Sequence, residues 1–168
     1  MNFIVAADLD YGIAKNGNLL ARLPKDLQFF KEKTLGNVVI MGRKTLESLP
    51  GKKPLPGRTT LILSRSPEYT CENAVVLHSA GEVLTWLKER QILEEQVFVS
   101  GGAEIYQLFM EYCQVGYLTK IYHRFGADRH IENIEKDPGW QEICRSLRQE
   151  ENGYAYEWIT YRRREKRS

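Results

Sequence analysis

Asn37-Val38-Val39-Ile40-Met41-Gly42-Arg43-Lys44-Thr45 is the stretch on which the reading of this chain turns. A short unbroken apolar run bounded by Asn and Gly reads as a strand covered on both faces, the kind found in parallel sheets. Gly42 ends the run, and a basic, hydroxyl-bearing segment beginning near Arg43 opens a short helix. The same grammar recurs further along. Gln96-Val97-Phe98-Val99-Ser100 runs into Gly101-Gly102-Ala103-Glu104, and Ile105, Leu108 and Phe109 then mark a helical face. Working outward, strands are predicted at Asn2–Ala7, Thr59–Ser64, Ala74–Leu77 and Val115–Tyr122. Pro24 sits where a helix begins, Leu27, Phe30, Lys31 and Thr34 share one of its faces, and Gly36 ends it. Val83, Leu84 and Leu87 give another helical stripe. Asp8 to Arg22 is a polar, glycine-containing stretch, long enough to read as a functional loop. Two runs near the end, Gln141–Gln149 and Tyr154–Arg162, flank Asn152-Gly153, a hairpin turn signal. Strands alternating with helices and then a hairpin predict an α/β fold: a mostly parallel sheet with an antiparallel C-terminal edge.

Composition narrows the function classes. The chain has 168 residues, 42% hydrophobic and 27% charged, with 13 Gly and 6 Pro. Those proportions fit one globular domain and exclude collagen, coiled coil and disorder. No apolar run approaches 18 residues, so no membrane span is expected. Met1-Asn2 leads straight into the first strand without a basic segment or cleavage site, which points to the cytoplasm. Cys71, Cys113 and Cys144 are widely spaced and lack a CxxC pattern, so they read as reduced thiols. His78, His123 and His130 lack metal-ligand spacing, and no metal is expected. The net charge of +2 conceals an asymmetry: Arg162 to Arg167 carries five positive residues and one negative, leaving the body before it at about −2. Residues 1–161 are therefore read as the domain and 162–168 as a basic tail, a solvated terminus in preference to a nucleic-acid contact. A monomer is expected.

Three junctions carry phosphate-like chemistry: Gly42-Arg43-Lys44-Thr45, Ser64-Arg65-Ser66 and Gly101-Gly102-Ala103-Glu104. Glycine lets a ligand approach the backbone, and arginines supply charge-assisted donors. In a parallel sheet the three loops share the carboxyl-end rim, where ligands bind. Together they point to a multi-phosphate ligand such as a dinucleotide, although neither Gly junction is GxGxxG or a Walker loop. Asp26 falls in the first turn of its helix beside Leu27, Phe29 and Phe30. It is either a helix-start carboxylate favoured by the dipole or a partly buried acid that binds an amidine-like heterocycle and assists proton transfer. Arg58, after Leu55-Pro56-Gly57, is either a surface arginine or a clamp for a substrate carboxylate. Thr119 is in isolation a strand former.

The order of these motifs resembles the dihydrofolate reductase family. The resemblance rests on Asn2–Ala7, Leu23-Pro24-Lys25-Asp26-Leu27-Gln28-Phe29-Phe30-Lys31, Val39-Ile40-Met41-Gly42-Arg43-Lys44-Thr45, Leu55-Pro56-Gly57-Arg58, Leu63-Ser64-Arg65, Gly101-Gly102-Ala103-Glu104-Ile105-Tyr106 and Leu118-Thr119. It implies an eight-stranded, mostly parallel sheet with four helices that binds NADPH and 7,8-dihydrofolate, and hydride transfer to C6 with protonation of N5. It implies that Asp26 is the catalytic carboxylate, hydrogen-bonded by Thr119. Ile4, Val5, Ala6, Leu27, Phe30 and Leu49 or Leu55 would line the substrate pocket, and Arg58 would hold the glutamate α-carboxylate. Ser100 and Tyr106 would lie where nicotinamide and pterin meet. Ala6 and Ile13 would approach the nicotinamide. Gly42, Arg43, Lys44, Thr45, Leu63, Ser64, Arg65, His78, Gly101, Gly102, Ala103, Glu104 and Ile105 would line the rest of the cofactor site. Asp8–Arg22 would be the lid.

One departure stands out. The family usually carries Leu-Pro-Trp, or a close variant, where this chain has Leu19-Leu20-Ala21. The resemblance implies that an indole wall and its N–H donor are missing beside the pterin. A related NADPH-dependent reductase of a riboflavin-pathway pyrimidine is the nearest alternative, disfavoured by Leu-Pro-x-Asp-Leu. A non-catalytic homologue that binds folate or nucleic acid is the other, prompted by Ala21 and the basic tail.

Overall fold

A computed structural model describes residues 1–166. The chain begins with β1 (Asn2–Ala7) and β2 (Gly12–Ala14), then α1 (Pro24–Thr34), β3 (Val38–Gly42), α2 (Arg43–Glu47), β4 (Thr59–Leu63) and β5 (Val75–Leu77). There follow α3 (Ala80–Glu89), β6 (Val97–Val99), α4 (Ala103–Phe109), β7 (Val115–Ile121), β8 (Arg129–His130), β9 (Trp140–Arg145), β10 (Gln149–Glu151) and β11 (Tyr154–Arg163). Short 3₁₀ turns lie at Pro50–Lys52, Glu94–Gln96 and Met110–Tyr112.

The main sheet runs β10-β11-β7-β1-β6-β3-β4-β5, with β9 also paired to β11. From β7 to β5 every neighbour is parallel, and β11 is antiparallel to β7. β9 and β10 occupy the same edge of β11, one against Ile159–Arg163 and the other against Tyr154–Tyr156. The sheet therefore has eight strand positions, as the fold reading expects. The run expected as one strand over 141–149 is instead split in two. Ser146 sits in the break, where its hydroxyl and amide bond the backbone of Trp158. The turn itself is as predicted: Asn152 and Gly153 both take positive φ, at 51° and 82°, which suits a two-residue hairpin.

The alternation of β3 separates the core into two layers. Val38 and Ile40 join Phe3, Leu61, Val83, Leu87, Val99, Ile105 and Phe109 on one side, under α3 and α4. Val39 and Met41 join Leu46 and Ile62 on the other, with Phe30, Leu49 and Leu55 packed against them. On β7, the missing side chain of Gly116 makes room for the Phe3 ring; a Cβ there would lie 1.9 Å from Phe3 Cζ.

Three expectations are corrected. The packed face of α1 carries Phe29, Phe30, Lys33 and the buried Thr34, whereas Lys31 is exposed. Lys33 belongs there because its stem crosses the sheet face and its ammonium rests 4.7 Å from the Tyr117 ring centroid. The stretch from Asp8 to Arg22 is more structured than a plain loop. β2 pairs with β8, and the buried Asp8 carboxylate accepts from the amides of Asp10, Gly12 and Phe125. Finally, Arg162 and Arg163 are not tail. Both lie in β11, and the Arg163 guanidinium donates to the carbonyls of Met110 and Cys113. Arg167 and Ser168, the end of the expected tail, lie outside the described residues.

Candidate active site

The site grows from adjacent strand ends. Parallel register puts Ala6 of β1 beside Thr119 of β7, and antiparallel register puts Trp158 of β11 on the far side of Thr119. Helix α1 crosses this region and brings Asp26 over the strands. The Thr119 hydroxyl donates to Asp26 Oδ1 at 2.6 Å, and the Trp158 indole N–H donates to the same oxygen at 2.9 Å. Among the described residues no donor reaches Oδ2. Burial raises the Asp26 carboxyl above its ordinary value, the Thr119 and Trp158 bonds oppose that, and the Glu151 charge adds to it. Asp26 is thus half-buried and tied to the sheet, more enclosed than a solvated helix-start acid.

The start of α1 is held from outside the helix. Leu23, the residue before Pro24, offers no side-chain cap. Glu151 of β10 supplies one, its Oε1 accepting from the Lys25 amide at 3.0 Å. Asn152, in the hairpin turn, donates to the Arg22 carbonyl at 2.8 Å. The C-terminal hairpin therefore sets both the end of the Asp8–Arg22 segment and the position of Asp26.

The expected apolar wall assembles on the α1–α2 side. Phe30, Leu49 and Leu55 are half-buried on the Val39–Ile62 cluster, and Leu27 leaves 49% of its surface exposed on α1. Ile4 and Val5 are buried in β1, with Ala6 half-buried at its end. Arg58 is half-buried, with Nε donating to the Pro56 carbonyl at 3.0 Å and Nη1 to the Thr34 hydroxyl at 3.3 Å. Burial lowers its pKa, and no carboxylate pairs with it among the described residues. A guanidinium held by neutral acceptors keeps its charge for a ligand anion.

The glycine junctions meet. The Gly42 amide donates to the Gly101 carbonyl at 2.8 Å. A Cβ on Gly42 would lie 3.2 Å from Ile105, and one on Gly101, where φ is 108°, would lie 3.1 Å from the Tyr106 ring. The positive φ favours glycine at Gly101, and at Gly42 a side chain would crowd Ile105, so the backbone of both junctions is bare. Thr45 reaches these junctions too, its hydroxyl 3.6 Å from where a Cβ on Gly102 would be. Lys44 is exposed in α2, Ala103 half-buried at the start of α4, and Ile13 half-buried in β2. Next along the rim, the Ser64 amide bonds the Leu77 carbonyl, and His78 Nδ1 lies 2.8 Å from the Ser64 carbonyl. Leu63 ends β4 just before this corner.

Both rim arginines are paired on the protein itself, Arg43 with Glu47 at 2.9 Å and Arg65 with Glu104 at 3.0 Å. These pairs are solvent-exposed, where water screening leaves such pairs weak. Ser100 and Tyr106 serve the scaffold: the Ser100 hydroxyl donates to the Ile40 carbonyl, and the buried Tyr106 hydroxyl donates to the Ile4 carbonyl at 2.7 Å.

The match to known proteins follows the same outline. The family description "Dihydrofolate reductase" matches residues 1–163. The chain belongs to this family. It is 34% identical to a dihydrofolate reductase of Bacillus subtilis, over 98% of this chain and 95% of the relative. It is 33% identical to that of Staphylococcus haemolyticus, over 97% and 95%. In structure it is similar to dihydrofolate reductase from Enterococcus faecalis, complexed with NADP(H) and RAB-propyl, with a TM-score of 0.84, 33% identity, and coverage of 98% and 96%.

Sequence reasoning missed Trp158, Glu151 and the site-facing role of Phe29. Tyr154, Tyr156 and Trp158 alternate along one strand face, a spacing that signals an aromatic wall, although nothing in it points to Asp26. The raised pKa of Asp26 has a consequence for stability. Between the ordinary value of 3.8 and the raised one, the folded protein holds more protons than the unfolded chain, so stability falls as pH rises through that window. Asp26→Asn removes this loss. Its urea midpoint is expected above that of the native chain at pH 7, with the gap narrowing toward pH 4; an equal gap at both pH values would contradict a raised Asp26.

Proposed function

We propose that this rim binds NADPH and 7,8-dihydrofolate side by side and reduces the pterin to 5,6,7,8-tetrahydrofolate. Membership in the dihydrofolate reductase family supports the reaction. The observation that carries its placement is the Asp26 carboxylate, held on Oδ1 by Thr119 and Trp158 with no protein donor on Oδ2. A pterin edge presents a 2-amino group and N3–H side by side, and a free carboxylate oxygen accepts from such an edge. In this reading Leu27, Phe30, Leu49 and Leu55 cover the rings and the aminobenzoyl group, Ile4, Val5 and Ala6 floor the pterin, and Arg58 pairs with the terminal carboxylate.

NADPH, when bound, supplies the hydride that goes to C6. The bare backbone at Gly42, Gly101 and Gly102 fits its close approach, with Thr45 and Ala103 beside it. In this reading Arg43, Arg65 and His78 hold the 2′-phosphate, the two arginines exchanging their exposed Glu47 and Glu104 pairs for it. Asp26 favours the charge that develops as N5 gains its proton, and its buried setting makes that stabilisation stronger than in water. The pinned β2–β8 segment would exclude water over the nicotinamide. Cys71, Cys113 and Cys144 are free thiols, and no described helix is long and apolar enough to cross a membrane.

Loss of absorbance at 340 nm with NADPH and dihydrofolate tests the reaction, and Asp26→Asn tests its centre. The variant is expected to bind NADPH normally and to lose about 10²–10⁴-fold in turnover at neutral pH. Near-native turnover from pH 6 to 8 would remove Asp26 from the chemistry. Arg58→Leu should raise KM for dihydrofolate about 10–100-fold with little change in kcat, because the contact is remote from the reacting atoms and equal in ground and transition states. An unchanged KM would place Arg58 outside the pocket. The native enzyme should favour NADPH over NADH about 10- to 1,000-fold, and Arg43→Ala with Arg65→Ala should erase most of that preference while sparing NADH use. Equal use of both cofactors by the native enzyme would refute the assignment.

A further inference from the structure

We propose that Trp158 is a positioning residue for the reaction: its indole N–H and the Thr119 hydroxyl together occupy Asp26 Oδ1, so that Oδ2 is the oxygen offered to the substrate. The inference rests on the reading of Asp26 given above and names what orients that acid. A single hydroxyl donor leaves a carboxylate free to rotate about its last bond. Two donors on the same oxygen, arriving from neighbouring strands, remove that freedom.

The half-buried indole is held by two rings and by its own backbone. Its ring stacks on Phe29 at 5.0 Å with an interplanar angle of 16°, and Tyr156 meets it edge-on at 5.6 Å. Its backbone is braced by Ser146, which donates its amide proton to the Trp158 carbonyl at 2.8 Å and accepts from the Trp158 amide through its hydroxyl at 2.9 Å. Cross-strand register with Thr119 then sets both donors at one height. Phe29 is one helical turn from Asp26, so α1 carries the acid and the ring that aligns its donor.

The position is also chemically specific. Ala21 and Trp158 border the same small apolar cluster, built on Leu23, Ile121 and Tyr156. Position 21 contributes only a methyl group there, and the indole donor beside Asp26 comes from β11 instead. A donor to the charged form of an acid favours ionisation, so Trp158 works against the burial that raises Asp26. The other groups facing the carboxylate are Glu151 of β10, which raises it, and the Tyr156 hydroxyl, buried without a hydrogen-bond partner among the described residues. On α1 itself the adjacent charge, Lys25, is exposed.

The test removes the N–H and keeps the shape. Benzothienylalanine at position 158 replaces the indole N–H with sulfur in the same bicyclic outline, and Trp158→Phe keeps a ring on Phe29. In the full chain saturated with NADPH, the Asp26 carboxyl carbon is titrated by ¹³C NMR, assigned by its loss in Asp26→Asn. Both variants should move the midpoint upward by about one pH unit, a tenfold change in proton affinity. The pH profile of kcat/KM for dihydrofolate should shift in the same direction, with KM for NADPH unchanged. An unmoved midpoint overturns the proposal, because Thr119 alone would then hold the acid. A moved midpoint with an unmoved kcat/KM profile overturns the positioning role. Near-native turnover by Asp26→Asn would instead sink the reading of Asp26, while the NMR midpoint still reports whether the Trp158 bond acts on it.

Discussion

The carboxylate of Asp26 is the point at which helix and sheet are tied together. Burying an acid costs several kcal/mol unless donors replace water. Here the replacement is partial: Thr119 and Trp158 satisfy one oxygen, and the other is left without a protein donor among the described residues. Burial keeps the pKa raised against those two bonds, and Oδ2, with no protein donor among the described residues, stays open as an acceptor.

Holding that arrangement falls to the end of the chain. The hairpin from β10 to β11 caps α1 through Glu151, ties down Arg22 through Asn152 and presents Trp158 to Asp26. β11 is also the antiparallel neighbour that closes one side of β7. The parallel half of the sheet builds a rim, but the antiparallel edge decides where on that rim the acid sits. The break between β9 and β10 serves the same end, since it frees Ser146 to brace Trp158.

The two halves of the site differ in how they meet a ligand. The side proposed for the cofactor is made of backbone laid bare by glycine and of exposed cations paired with exposed carboxylates. It suits a polyanion with a long reach. The side proposed for the pterin is apolar, with one oriented carboxylate and one cation, Arg58, at a distance along the chain from it. It suits a flat heterocycle with a hydrogen-bonding edge and a remote carboxylate.

Much of this was legible in the sequence, because the deciding signals are local. Unbroken apolar runs ending in glycine are properties of a few adjacent residues, and they determined the parallel strands, the rim junctions and the helix that carries Asp26. The Asn152-Gly153 turn was equally local, since two residues of positive φ need little beyond themselves. The ordered motifs from Asn2 to Thr119 determined the family. Tertiary structure alone decided that Asp26 is half-buried and held by two donors, because those donors come from strands 93 and 132 residues away in the chain. It alone decided that Arg162 and Arg163 end a strand and do not begin a tail, that β2 and β8 pin the long loop, and that Lys33 covers Tyr117. Each depends on register between distant segments, which is set by the packing of the whole sheet. A tryptophan in a strand reads as an aromatic wall wherever it stands; only the pairing of Trp158 with Thr119 turns its N–H toward an acid.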